Sequence, residues 1–315
     1  MNRLTLERRQ VWIYLVAIGA GLLLGARWPG LGPVLEVVLW PTLALLLYLT
    51  FLQVPLWHVR DALRDRRFLG AALLGNFVLL PALVWALVQW LPPDPALRLG
   101  VLLVLLVPCT DWFMAFAQLG KGDAPRALAV TPLNLVLQIA LLPLYLWWIA
   151  GETLQAALAA GPVAAAALVV LTPLVLAALT ERWIDAMPAR RAWRARARAW
   201  PVPLLALVVF LIAGAQVDAV AGTLGVLPAV LPVFLAFLLA AALLARLLQR
   251  ALHLPAAHGR TLAFSFGTRN SFVVLPLALA LPAGWEVAGV VIVLQALVEL
   301  FGMLLYLRAI PWLIR

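Results

Sequence analysis

Charge is what this sequence has least of: 11% of its 315 residues are Asp, Glu, Lys or Arg, against about 25% in a soluble globular domain. Cysteine occurs once and histidine three times, so a disulfide scaffold is excluded and no metal-ligand spacing arises. No nucleotide loop, zinc motif or Ser-His-Asp order is present that would support an ATPase or a membrane hydrolase. The expectation is a protein that is not an enzyme and carries no cofactor or resident metal. What fills the chain instead is apolar: 66% of residues are hydrophobic and mean hydropathy is +1.06, which disorder and a soluble core both exclude. A net charge of +10 and a pI near 11.2 would suit a nucleic-acid binder. The basic residues, however, sit between apolar runs of about 20 residues, long enough to cross a bilayer. The partner implied is the lipid bilayer, not nucleic acid.

Ten such runs are read: 11–26, 34–54, 68–91, 97–119, 125–149, 162–183, 201–220, 226–249, 259–282 and 286–308. The fold class expected is an all-α polytopic membrane protein with ten transmembrane helices. No cleavable signal peptide is read at the start. Sorting the connections alternately places 20 of the 23 Lys and Arg residues on one side, including the cluster Arg182, Arg190, Arg191, Arg194, Arg196 and Arg198. Arg27 and Arg98 fall on the other side and Arg269 inside a span. The positive-inside rule then puts both termini in the cytoplasm of a cell inner (plasma) membrane protein. The Arg182–Arg198 loop reads as a topology and lipid-contact device. Trp12, Trp28, Trp40, Trp57, Trp90, Trp183, Trp200 and Trp285 stand near span ends, where an amphipathic ring is favoured. His58, His253 and His258 fall in connections and read as surface residues. Gly21 and Gly25 form a small-xxx-small packing pair.

The two halves resemble each other at an offset of 160 residues. Trp40-Pro41 and Trp200-Pro201 open the second and seventh spans, and Pro108-Cys109-Thr110-Asp111 and Thr268-Arg269-Asn270-Ser271 interrupt the fourth and ninth. Residues 1–150 and 151–315 are thus expected to be two five-helix repeats. Five is odd, so the second is inverted, a recurring plan of secondary transporters. Irregular backbone at membrane depth survives only where protein or a cavity covers it. Two crossing broken helices would also aim half-helix N-termini, with their positive dipole ends, at one central site.

Asp111 and Arg269 are ionisable residues at membrane depth, expensive on any scale. They read either as an ion pair gating a substrate or proton site or as a pair that pins the crossing. Glu299 in the tenth span reads as a proton carrier or as an acid hydrogen-bonded within the bundle. Thr110, Asn270 and Ser271 flank the breaks, and Asn76, Thr131, Asn134, Ser265 and Thr268 are candidates to line the same cavity. Interhelical hydrogen bonding is the alternative for each. Cys109 is either a small hydrophobe or, as thiolate, a soft ligand for a thiophilic solute.

These motifs resemble those of the bile acid:sodium symporter superfamily, including its arsenite-efflux branch. Residues 260–271 are similar to the ninth-helix motif of the symporters, and Lys121-Gly122-Asp123 to the end of the fourth helix. The resemblance implies a core domain from helices 3–5 and 8–10 moving against a panel from helices 1, 2, 6 and 7. The symporters' sodium ligands do not carry over: their ninth-helix glutamate and glutamine match Ser265 and Arg269, the polar pair after the fourth-helix break matches Phe113 and Met114, and only Thr131 remains. Pro108-Cys109-Thr110, Asn76 before Pro81, Asn134 and Leu297-Val298-Glu299 resemble the arsenite-efflux branch. The glutamate of that branch after its ninth-helix Asn/Phe pair is replaced here by Val273, with Asp111 as the carboxylate that could stand in for it.

The function expected is proton-coupled efflux of arsenite or a related small oxyacid, with Cys109 contacting the metalloid and Asp111 and Glu299 handling protons. Sodium is not the expected coupling ion. The alternatives are a sodium-independent transporter of a small organic anion, a carboxylate bound by Arg269, and a non-transporting membrane sensor.

Overall fold

The computed structural model describes residues 3–57, 65–110, 112–149, 161–187, 190, 192–193, 197, 200–217 and 225–315. Every extended element among them is a helix, as expected where hydrocarbon leaves no other way to satisfy the backbone of a spanning segment short of a closed barrel. In chain order these are α1 (Arg3–Arg27), α2 (Gly32–Phe51), α3 (Arg66–Val88), α4 (Pro95–Leu105), α5 (Trp112–Leu119) and α6 (Ala124–Ile149). The second part contributes α7 (Gly161–Asp185), α8 (Pro201–Ala215), α9 (Leu227–Ala251), α10 (Ala256–Gly267), α11 (Ser271–Leu279) and α12 (Glu286–Leu313).

Among the described residues, six stretches are long and apolar enough to cross a membrane: Pro29–Phe51, Arg66–Val88, Ala124–Ile149, Ala166–Asp185, Leu227–Ala251 and Glu286–Leu313. They coincide with the second, third, fifth, sixth, eighth and tenth predicted runs. The first and seventh runs hold shorter apolar helices, Trp12–Arg27 and Pro201–Ala215. The fourth and ninth runs are interrupted, each by a few non-helical residues, between α4 and α5 and between α10 and α11. Large apolar side chains such as Leu23, Val37, Trp85, Trp147, Leu239 and Leu305 face outward. In water so much exposed apolar surface would drive association, whereas hydrocarbon covers it without cost. Of the eight tryptophans near span ends, Trp12, Trp28, Trp57, Trp90, Trp183 and Trp200 are exposed, whereas Trp40 and Trp285 are half-buried.

Local sequence explains where the helices begin and how closely they approach. Asp65 caps α3 by accepting the Phe68 N–H at 3.1 Å, and Asp94 caps α4 by accepting the Leu97 N–H at 3.0 Å, each satisfying one orphan donor. Gly21 and Gly25 let α1 lie against α8: a Cβ added there would stand 2.3 Å from the Phe210 carbonyl oxygen and 2.2 Å from that of Gly214. The packing expectation for this pair holds. Within α3, residues Gly75–Leu79 form a π-helical segment, a wide turn that often marks a functional position. The Phe77 carbonyl in that turn accepts the Tyr145 hydroxyl at 2.5 Å.

Candidate functional site

The two interruptions meet. Pro108 and Arg269 form an antiparallel bridge, the Cys109 N–H donates to the Thr268 carbonyl at 3.2 Å, and the Asn270 N–H donates to the Val107 carbonyl at 2.8 Å. Each break thereby supplies the backbone partners that the other lacks. Side chains extend the pairing: the Asn270 amide donates to the Thr110 hydroxyl at 3.0 Å, and the Thr268 hydroxyl bonds back to the Phe264 carbonyl at 2.7 Å. Cys109, Thr110, Thr268, Arg269, Asn270 and Ser271 are all buried. Helices α5 and α11 start just beyond this crossing, so their N-terminal dipole ends lie beside it.

The Arg269 side chain runs back from the crossing toward α3 and the ends of two helices. Its guanidinium donates to the Leu105 carbonyl at 3.3 Å, the Ser265 carbonyl at 3.3 Å, the Phe266 carbonyl at 2.6 Å and the Asn76 amide oxygen at 3.2 Å. Leu105 closes α4 and Ser265 and Phe266 lie in the last turn of α10. The cation therefore caps two helix C-termini, where unpaired carbonyls and the negative dipole end favour it. The Phe237 ring adds a face, with the guanidinium carbon 5.1 Å from its centroid.

Glu299 sits behind the crossing on α12, 1% exposed, and accepts the Arg269 backbone N–H at 2.8 Å and the Gln295 amide at 2.9 Å. The Gln295 oxygen in turn accepts the Ser271 hydroxyl at 2.9 Å. Asn76, on the π-helical turn of α3, donates to the Ser265 hydroxyl at 3.0 Å while accepting from Arg269. The crossing and its surround thus bring together nine of the twelve candidates, with two exceptions among the described residues. Thr131 bonds only to the Ala127 carbonyl of its own helix at 2.8 Å. Asn134 is fully buried on α6 with neither amide atom partnered. Asp111 lies outside the described residues, so its pairing with Arg269 stays an expectation.

Two functional candidates escape a reading by residue type. Gln295 carries the link from Ser271 to Glu299, and its only sequence signal is the i, i+4 spacing to Glu299 on one helix face. Gln138, four residues beyond Asn134 on the same face of α6, is also buried with both amide atoms unpartnered. Such groups cost about 1–3 kcal/mol each when left unsatisfied, which marks this face as a place where a polar solute or water would be held.

One expectation is corrected. His258 is not a surface residue but 8% exposed. Helix α10 begins at Ala256, three residues before the expected ninth run, and turns the imidazole onto Phe68 in an edge contact at 5.6 Å. Its Nδ1 lies 3.9 Å from Asp65 and its Nε2 3.5 Å from Asp123, and Arg126 bridges both carboxylates at 2.8 and 2.5 Å. Burial and the Arg126 cation hold the imidazole below its ordinary range, against the pull of Asp123 and Asp65. Burial pushes the Asp65 carboxyl up, yet the Phe68 N–H and Arg126 together hold it lower than usual. The Lys121-Gly122-Asp123 motif forms the corner of this cluster: Lys121 takes φ +61°, and the Asp123 N–H donates to the Thr261 hydroxyl at 2.7 Å. His253 is exposed, as expected.

Known proteins are similar to this chain over part of its length. Residues 40–223 match the family described as the Sodium Bile acid symporter family, a segment that includes Asn76, Cys109, Thr110, Thr131 and Asn134. The chain is also 30% identical over 147 residues to the Arsenical-resistance protein Acr3 of Corynebacterium glutamicum, covering 44% of this chain. The match spans 40% of that protein's own length. With more than half of its length inside the family's bounds, this multi-pass membrane chain belongs to the sodium bile acid symporter family.

Proposed function

We propose that the protein is a secondary active exporter of arsenite or a related small oxyacid, driven by inward movement of protons. The observation that carries the reading is the crossing itself, a buried thiol held by two mutually bonded helix breaks with a carboxylate directly behind it. In this reading residues 1–150 and 151–315 are inverted five-helix repeats within ten spans. The third to fifth and eighth to tenth spans form a core that moves against a panel of the first, second, sixth and seventh. Both termini face the cytoplasm of the plasma membrane.

Arsenite is largely uncharged near neutral pH, so membrane potential alone cannot expel it and exchange for a proton can. Cys109 would engage it reversibly. Its sulfur takes the place of one hydroxyl on arsenic, the thiol proton leaves with that hydroxyl as water, and the reverse step with water frees the solute. A single thiol keeps release fast. Asp111 and Glu299 would carry the proton. Asn134 and Gln138, with four unpartnered amide atoms, would meet the hydroxyls of the passing solute.

Sodium has no place in this scheme. The oxygen set around Arg269 is what a bound monovalent cation would use, and a guanidinium fills it. At 4 Å a second cation would meet about 4 kcal/mol of repulsion for an effective dielectric near 20. The same bonds weigh against a carboxylate substrate on Arg269, because its terminal nitrogens already donate to protein oxygens. The test is arsenite accumulation in bacteria lacking their own exporter, with the unaltered protein or Cys109→Ser at matched membrane levels. Lower accumulation that the substitution abolishes is expected. Unchanged accumulation despite correct insertion would retire the arsenite reading.

A further inference from the structure

A groove of about 630 Å³ opens between α2 and α7, lined by Leu45, Tyr48, Leu168, Thr172, Pro173 and Leu176 among others. It joins a second hollow of about 440 Å³ through Tyr48 and Thr180, where Trp183 and Trp193 form the far wall. At the junction the Tyr48 and Thr180 hydroxyls stand 3.0 Å apart, and Thr180 donates to the Leu176 carbonyl at 2.8 Å. Below the junction the walls are aliphatic apart from the Thr172 hydroxyl. From Leu168 to Thr180 the groove follows α7 for about 18 Å at 1.5 Å per residue. That is slightly more than half of a hydrocarbon core about 30 Å thick, the depth of one leaflet.

Beyond the junction the character changes. The Arg182 guanidinium lies 4.1 Å over the Trp57 ring, and Arg190 lies 4.1 Å over Trp183 while donating to its carbonyl at 2.8 Å. Two carboxylates occur in the same segment, Glu181 and Asp185. Glu181 is fully buried and accepts the Leu56 N–H at 2.9 Å, so its charge is turned inward. An apolar slot one leaflet deep, a collar of hydroxyls and indoles, and the two guanidinium groups of Arg182 and Arg190 beyond it match one molecule in three parts: acyl chain, glycerol ester and phosphate.

We propose that the groove between α2 and α7 is a specific binding site for an anionic phospholipid of the leaflet that meets the Arg182–Arg198 segment. Its acyl chain lies along Leu45, Leu168 and Leu176, and its phosphate is held by Arg182 and Arg190 through charge-assisted hydrogen bonds. This site is separate from the crossing and stands whether or not arsenite is the solute.

The experiment is native mass spectrometry of the full chain, purified in mild detergent and offered equal amounts of phosphatidylglycerol and phosphatidylcholine. One phosphatidylglycerol per chain is expected to survive activation that strips phosphatidylcholine, with at least tenfold preference. Leu176→Trp and, separately, Thr172→Trp fill the slot from outward-facing positions without changing charge, and either should lower retention about tenfold while the protein stays monodisperse. Arg182→Gln with Arg190→Gln should abolish the preference for the anionic headgroup. Equal retention of both lipids would overturn the proposal. So would retention unchanged in both tryptophan variants, which would locate the lipid elsewhere on the basic surface. A shift in oligomeric state without loss of lipid in those variants would assign the groove to a second copy of the chain and equally overturn it.

Discussion

Arg269 shows how a formal charge is tolerated at membrane depth. Four oxygen acceptors from α3, α4 and α10 take its hydrogen bonds, so removing the guanidinium leaves carbonyls at two helix ends without a partner. Arg269→Met is expected to destabilise by about 1–3 kcal/mol for an acceptor left unsatisfied, read as a clear drop in thermal midpoint in detergent. Asn134 and Gln138 should behave in the opposite way. Because their amides have no partner in this conformation, Asn134→Leu and Gln138→Leu should leave stability equal or raised by about 1 kcal/mol and still impair arsenite export. Lower stability in both with export intact would show that they are structural. His258 yields a pH prediction. Its imidazole is held below the ordinary value of 6.5 in the folded protein, facing Asp65, Asp123 and Arg126. Above pH 6.5 the contribution to stability is fully present. As pH falls through the folded value it is lost, because the unfolded chain binds its proton first. Asp65 acts in the same direction below its ordinary 3.8. The thermal midpoint should therefore fall between pH 7.5 and 5.5, and His258→Phe should flatten that slope.

At the scale of elements, two kinds of junction hold the bundle, and each carries its own sensitivity. The α1–α8 contact depends on absent side chains at Gly21 and Gly25, where an added Cβ would overlap backbone oxygens that cannot rotate away. Gly21→Val and Gly25→Val are expected to cost about 1–3 kcal/mol as overpacking and to lower the yield of folded protein by size-exclusion chromatography. The crossing of the two broken helices depends on polar pairing instead. Asn270→Ala removes the bond to Thr110 but leaves the backbone bridge, so folding should persist with export reduced. A variant that abolishes membrane insertion would place Asn270 among the residues needed to assemble the crossing.

For the whole molecule, the proposed proton-driven export by alternating access requires that the thiol be closed off in some states and open in others. Cys109 is 1% exposed in this one. A membrane-impermeant maleimide should therefore label it slowly in de-energised vesicles and several-fold faster when a proton gradient drives turnover. Equal labelling with and without the gradient would argue against movement at the crossing.

Much of this architecture is legible in the amino-acid order. Hydropathy is a local property, so the apolar runs, the arginine-rich connections and the two polar breaks can be read without knowing what any helix touches. The physical reason is that hydrocarbon demands internal hydrogen bonds within each span, and departures from helix therefore show as proline and polar clusters at Pro108 and Thr268–Ser271. Partner choice is different. Arg269 reaches Asn76 across 193 positions and Leu105 across 164, and His258 is buried because Asp65 and Asp123 come from other elements to meet it. Gln295 matters only because α11 delivers Ser271 to it. A side chain's identity and spacing determined that it must find a partner; which carbonyl, carboxylate or ring it found was decided by helix packing, since only the assembled bundle brings those groups within hydrogen-bond reach.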